Sequence, residues 1–83
     1  MTVILYTQPG CGPCVAQARA LTKHGITFET VNIRETPEAA ERIAALGATS
    51  TPVIEVTTPL GSWYWAGFSL DKTKHLQQLQ NGQ

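Results

Sequence analysis

A chain of 83 residues, with six Lys plus Arg against six Asp plus Glu and 42% hydrophobic residues, predicts one small domain that spans residues 1–83 around one core. It has no basic stripe that could neutralise phosphates, and no apolar run approaches the ~20 residues of a membrane span, so we expect neither nucleic acid nor a membrane as a partner. The N-terminus shows no basic region followed by a long apolar stretch, and we therefore expect a cytoplasmic protein.

The first predicted unit is a strand, a turn and a helix. Residues 3–6 are a continuous apolar run, typical of a central strand buried on both faces. Residues 7–10 have the composition of a turn. Residues 13–24 then favour a helix, and Gly25 supplies its C-terminal stop.

The second unit repeats this order. Residues 26–33 alternate with period two, with one phase slip, and predict a second strand. Thr36 as N-cap and Pro37 at the first helical position begin a helix that continues through residues 39–46, and Gly47 ends it.

The remaining residues predict a hairpin and a last helix. Residues 52–56 form the third strand, residues 58–61 a turn and residues 62–65 the returning strand. Ser69 then caps a helix over residues 70–80. The predicted order is βαβαββα, an α/β fold with a mixed four-stranded sheet and three helices.

The two cysteines stand in the tetrapeptide Cys11-Gly12-Pro13-Cys14 after the first strand. A disulfide between them would close a loop too short to stabilise the fold, so we expect them to be chemical. Cys11, at the start of the helix, is the predicted nucleophile because the helix dipole stabilises its thiolate. Cys14, one turn into the helix, is the predicted resolving thiol. Gly12 and Pro13 shape the turn, and Pro13 also limits how far the sulfurs separate.

Metal binding is the competing use of a Cys-x-x-Cys pair. A closed zinc site needs two more ligands, and His24 and His75 are the available candidates. His24 would lie roughly 15 Å from Cys14 along the helix at 1.5 Å per residue. We therefore expect no metal and no cofactor, although an iron–sulfur or metal-binding module is the alternative from a different class.

The chain resembles the glutaredoxins, the minimal form of the thioredoxin fold, and among them the NrdH-type redoxins. Three segments carry the resemblance: Tyr6-Thr7-x-Pro9-x-Cys11-x-x-Cys14, Thr51-Pro52-Val53 and Trp65-Ala66-Gly67-Phe68. The resemblance implies a monomeric thiol–disulfide oxidoreductase that reduces a protein disulfide, with ribonucleotide reductase as the expected client and thioredoxin reductase as the enzyme that reduces it again.

The resemblance also implies a client-binding surface around the cysteines. A cis peptide before Pro52 would leave the Thr51 backbone free to pair with an extended peptide, whereas the alternative is that Thr51 and Pro52 only begin an edge strand. Trp65 and Phe68, beside Gly67, are expected as exposed aromatic anchors for a partner, and packing in the core or against the sheet is the alternative for these rings. Tyr6 and Thr7, at the end of the first strand, are expected at the rim beside the nucleophile, although packing alone would explain Tyr6.

Two departures from these families concern glutathione. Glutaredoxins that use glutathione typically hold it with a basic residue near position 8 and with acidic residues at the start of the last helix. This chain has Gln8 and Leu70 at those places. The resemblance therefore implies weak glutathione binding, and a glutathione-dependent glutaredoxin is the nearer alternative function.

Overall fold

Four strands and three helices form in the predicted order in a computed structural model that describes residues 1–81. The elements are β1 (Thr2–Thr7), α1 (Gly12–Lys23), β2 (Glu29–Asn32), α2 (Pro37–Ala45), β3 (Val53–Thr58), β4 (Gly61–Ala66) and α3 (Leu70–Asn81). Ser69 caps α3 as predicted, because its Oγ accepts a hydrogen bond from the Lys72 N–H at 3.2 Å.

The sheet is mixed, with the strand order β2-β1-β3-β4. β1 runs parallel to β2 and antiparallel to β3, and β3 and β4 form the hairpin. Tyr6 of β1 lies opposite Val53 of β3, which in turn lies opposite Ala66 of β4. The end of β1, the start of β3 and the end of β4 therefore meet at one edge of the sheet.

The sheet divides the hydrophobic core into two clusters, because successive side chains of a strand point to opposite faces. One cluster joins α1 and α3 to the sheet and consists of Val3, Leu5, Leu21, Ile26, Ile54, Val56, Trp65 and Leu76. The other joins α2 to the opposite face and consists of Tyr6, Ala39, Ile43 and Val53. Helices therefore cover both faces of the sheet.

The strand predicted over residues 26–33 is wrong at residues 26–28 and at residue 33, because β2 spans only Glu29–Asn32. The Ile26 N–H bonds the Leu21 carbonyl at 3.0 Å, which continues the C-terminal capping of α1. Gly25 has φ of +71°, a left-handed conformation that glycine adopts without steric cost. Ile26 is buried against α1 and α3 from this loop, so its apolar character reflects core packing and not strand pairing.

Candidate redox site

Cys11 and Cys14 form a disulfide at the sheet edge where β1 ends, with a Cα–Cα distance of 5.3 Å. Cys11 is the N-cap of α1 and is partly exposed, whereas Cys14 lies in the first turn and is only 2% exposed. Gly12 and Pro13 between them are exposed, and Pro13 occupies the first turn, where a missing N–H costs no helical hydrogen bond. The pair thus has one accessible sulfur and one shielded sulfur.

Two hydrogen-bond donors converge on the Cys11 sulfur. The Cys14 N–H lies 3.2 Å from Cys11 Sγ, and the Thr51 hydroxyl lies 3.5 Å from it. The first turn of α1 contains no acidic residue. A negative charge on this sulfur would therefore be stabilised by two donors and by the positive end of the helix dipole.

Arg34 reaches this site from the loop after β2, which the sequence analysis did not predict. Its Nε donates to Gln8 Oε1 at 3.4 Å, and Gln8 Nε2 donates to Thr51 Oγ1 at 2.9 Å. Gln8 carries no charge itself, but a guanidinium lies directly beside it. The parallel pairing of β1 and β2 could have indicated this contact, because parallel strands bring their following loops to the same edge.

The segment at Thr51 and Pro52 lies against the cysteines, and the peptide bond between the two residues is cis. Within residues 1–81 no backbone–backbone hydrogen bond uses the Thr51 N–H or carbonyl. The Pro52 carbonyl accepts from the Gly67 N–H at 2.8 Å, and Gly67 adopts φ of +84° to reach it. The backbone of Thr51 is thus presented without an internal partner.

The expectation that Trp65 is exposed is wrong. Trp65 is 4% exposed and belongs to the core cluster under α1 and α3, where its ring stacks on Trp63 at a centroid distance of 5.5 Å. Trp63 and Trp65 do share a face, as their spacing predicts. Phe68, which follows β4 beyond Gly67, is 47% exposed and is the accessible aromatic side chain of this segment.

Tyr6 does not line the rim of the site, contrary to expectation. Its ring is buried on the α2 side, and its hydroxyl donates to Glu55 Oε1 at 2.9 Å. Glu55 is 5% exposed and is also held by an ion pair with Arg42. The Arg42 hydrogen bond lowers the pKa of the Glu55 carboxyl, and burial raises the pKa of the Tyr6 phenol. Thr7 is half-buried, and its carbonyl accepts from the Ile33 N–H at 2.9 Å.

A buried amide connects the cysteine-bearing helix to the start of α3. Gln17, one turn beyond Cys14, donates from Nε2 to Thr73 Oγ1 at 2.7 Å and accepts the Ser69 N–H at 3.0 Å. Thr73 Oγ1 donates in turn to the Ser69 carbonyl at 2.6 Å. This network fixes the segment after Phe68 against α1. Gln17 is 52 positions from Ser69 and 56 positions from Thr73 in the sequence, so local sequence patterns did not reveal it.

Across residues 1–81, no three His, Cys, Asp or Glu side chains come together in a way that could hold a metal ion. His24 Nδ1 pairs instead with Gln77 Oε1 at 2.8 Å. In the same part of the chain, every helix is too short or too polar to cross a membrane.

Comparison with known proteins gives consistent matches. The glutaredoxin family model matches residues 3–58. The glutaredoxin-like protein NrdH of Escherichia coli (strain K12) is 36% identical over 76 residues, which cover 92% of this chain and 89% of that protein. The Gene 56 protein of Mycobacterium phage L5 is 39% identical over 57 residues, which cover 68% of this chain and 55% of that protein.

Solved structures match the fold. The glutaredoxin-like protein NrdH-redoxin from Escherichia coli, described as having a thioredoxin-like activity profile, superposes with a TM-score of 0.81 at 34% identity and covers 92% of this chain and 95% of its own. The thioredoxin-like protein BC3987 gives a TM-score of 0.79 at 28% identity, with 90% and 99% covered.

Proposed function

The chain belongs to the glutaredoxin family and is a NrdH-like member of it, and from this premise we propose that it is a cytoplasmic, monomeric carrier of two electrons from a reductase to a disulfide of a client protein. The contrast between the two sulfurs is the observation that carries the proposal. Cys11 is accessible and surrounded by donors, while Cys14 is shielded one turn away. The two thiols therefore have different tasks.

The exchange proceeds in two displacements. The Cys11 thiolate attacks one sulfur of the client disulfide, forming a mixed disulfide, and the other client sulfur leaves as a thiolate that takes a proton. The Cys14 thiol then loses its proton and attacks Cys11 Sγ, so that the second client sulfur leaves as a thiolate that takes up this proton. The client gains two electrons and becomes a dithiol, and the carrier is left with the Cys11–Cys14 disulfide.

The client is held beside Cys11 by backbone pairing and by an apolar contact. The unpaired Thr51 N–H and carbonyl suit an extended client segment, and the half-exposed Phe68 ring offers an apolar anchor at the same edge of the sheet. Ribonucleotide reductase is the proposed client, and thioredoxin reductase is the proposed source of electrons. The likeness to a redoxin with a thioredoxin-like activity profile supports this choice.

A glutathione-dependent glutaredoxin is the second candidate, and the position of Arg34 favours it. A glutathione carboxylate needs a charged donor, and the guanidinium beside Gln8 could supply one. Leu70 at the start of α3 still offers no partner for the glutathione ammonium. Weak glutathione binding therefore remains our proposal.

A reductase comparison tests the proposal. The oxidised protein is offered thioredoxin reductase with NADPH, or millimolar glutathione with glutathione reductase, and reduction of the Cys11–Cys14 disulfide is followed by NADPH consumption. We expect efficient turnover with the first system and poor turnover with the second. Gln8→Lys with Leu70→Asp should partly shift the preference toward glutathione.

The matched control is Gln78→Lys with Leu79→Asp, which makes the same changes on exposed residues near the other end of α3. This control should not alter the preference. Rapid turnover with glutathione, together with no reaction with several thioredoxin reductases, would overturn the proposal in favour of the second candidate.

A further inference from the structure

We propose that Arg34, Gln8 and Thr51 form a hydrogen-bond chain of fixed direction, which orients the Thr51 hydroxyl so that it donates its hydrogen bond to the Cys11 sulfur. This chain makes Gln8 and Arg34 positioning residues for the attacking thiolate, although neither touches it. The three contacts run Arg34 Nε to Gln8 Oε1 at 3.4 Å, Gln8 Nε2 to Thr51 Oγ1 at 2.9 Å, and Thr51 Oγ1 to Cys11 Sγ at 3.5 Å.

The direction of the hydrogen-bond chain follows from the chemistry of Arg34, at which it begins. A guanidinium can only donate hydrogen bonds, so the end of the Gln8 amide that faces Arg34 must be the carbonyl oxygen. The amide nitrogen then faces Thr51 and donates to its hydroxyl. Because a hydroxyl carries a single proton and here accepts from Gln8, that proton is left to point at Cys11 Sγ.

The hydrogen-bond chain matters most after the Cys11–Cys14 disulfide has been reduced. In the disulfide the Cys11 sulfur is neutral and a weak acceptor, whereas a thiolate at the same position is a strong one. Two donors are then directed at the charge, the Thr51 hydroxyl and the Cys14 N–H. Losing the hydroxyl should therefore raise the pKa of the Cys11 thiol by about one unit, which means about tenfold less thiolate below that pKa.

Few other charged or titratable groups compete with this effect. The titratable neighbour of Cys11 on α1 is the Cys14 thiol, and the charged group that the loop after β2 brings to the site is Arg34 itself. Glu55 on β3 is engaged by Tyr6 and Arg42 on the α2 side. On α3, Asp71 and Lys72 are exposed to solvent, where water and salt screen their charges.

The inference rests on the proposed role of Cys11 as the attacking thiol, and its test needs no reductase or client. The pKa of the Cys11 thiol in the reduced protein is measured from the pH dependence of its alkylation by iodoacetamide, with the modified peptide identified by mass spectrometry. Thr51→Val should raise this pKa by about one unit, and Thr51→Ser, which keeps the hydroxyl, should restore it. Thr49→Val, on an exposed threonine of the same loop, is the matched control and should change nothing.

The direction of the chain is tested by combining variants. Gln8→Leu should raise the pKa in the parent protein and add nothing in Thr51→Val. Arg34→Lys keeps a group that only donates and should preserve the effect, whereas Arg34→Glu should reverse the Gln8 amide and draw the hydroxyl away from Cys11. The direct charge effect of Arg34→Glu persists in Thr51→Val and weakens with added salt, so it can be separated from the reversal.

Two results would overturn the inference: an unchanged pKa in Thr51→Val, or shifts from Gln8→Leu and Thr51→Val that simply add. If the predicted pKa pattern appears in a protein that thioredoxin reductase does not reduce, the proposed electron source fails and the hydrogen-bond chain stands.

Discussion

Replacing Gln17 by methionine should destabilise the protein. Methionine has a similar shape, but its thioether donates no hydrogen bond and accepts only weakly. The Ser69 N–H would lose its acceptor at 3.0 Å, and an unsatisfied buried donor costs about 1–3 kcal/mol. Thr73 would lose a donor but would still bond the Ser69 carbonyl at 2.6 Å. Since Ser69 is only half-buried, we expect the free energy of unfolding to fall by about 2 kcal/mol.

Urea unfolding of the oxidised protein, followed by far-ultraviolet circular dichroism, measures this change. In a domain of this size a loss of about 2 kcal/mol corresponds to a fall in the melting temperature of roughly 8–16 °C. Hydrogen exchange at the Ser69 amide should accelerate in the same variant, because that amide loses its protection. The matched control is Gln78→Met, on an exposed glutamine of α3, which should stay within about 0.5 kcal/mol of the parent.

A Gln17→Met variant as stable as Gln78→Met would refute the reasoning, because it would show that the buried amide gives no net stabilisation. Thr73→Val offers a further check. The Gln17→Met and Thr73→Val losses should add to more than the loss in the double variant, since the two side chains are hydrogen-bonded to each other.

Three other predictions concern charge, chemistry and client binding. The pKa of Glu55 is lowered in the folded protein, so the stability that this carboxylate gives is present above its ordinary pKa of 4.5 and is lost as the pH falls below that value. Glu55→Gln should therefore be less stable than the parent at neutral pH and should lose less stability on acidification. Urea midpoints measured across this pH range test the prediction, and an equal loss in both proteins would contradict it. Cys14→Ser should accumulate a mixed disulfide through Cys11, whereas Cys11→Ser should abolish turnover, and peptide mapping that places the mixed disulfide elsewhere would reverse the assignment. Phe68→Ser should raise the KM for a protein disulfide several-fold and leave reduction of the carrier by dithiothreitol unchanged. The control is Leu60→Ser, on a fully exposed leucine at the tip of the β3–β4 hairpin. Equal KM values in the two variants would refute a client contact at Phe68.

The strand and helix order could be read from the sequence where local signals agree. The apolar run of β1, the Pro37 start of α2 and the Ser69 cap each carry a distinct physical signature, and each lies where predicted. Ile26 fits a strand pattern and yet lies in a loop, because an apolar residue in a loop can belong to the core without pairing in the sheet. Alternation alone does not separate these two cases.

The site was predictable in its chemistry and less so in its surroundings. The spacing of Cys11 and Cys14 indicates redox exchange, and the distance of His24 along the helix argues against the competing use of the pair in a metal site. Trp65 illustrates the limit: its spacing from Trp63 fixes a shared face but not which face is covered, and α3 covers it. Arg34 shows a second limit, since its contact with Gln8 joins residues 26 positions apart through side chains that no local pattern describes.

The place of Cys11 as N-cap of α1 sets stability against activity at a single residue. A helix N-cap is best made by a small side chain with an oxygen acceptor, and here a sulfur fills that position by accepting the Cys14 N–H. Serine would suit the helix end at least as well and could not exchange disulfides. The residue that would best stabilise the start of α1 and the residue that the proposed reaction needs are therefore different at this position.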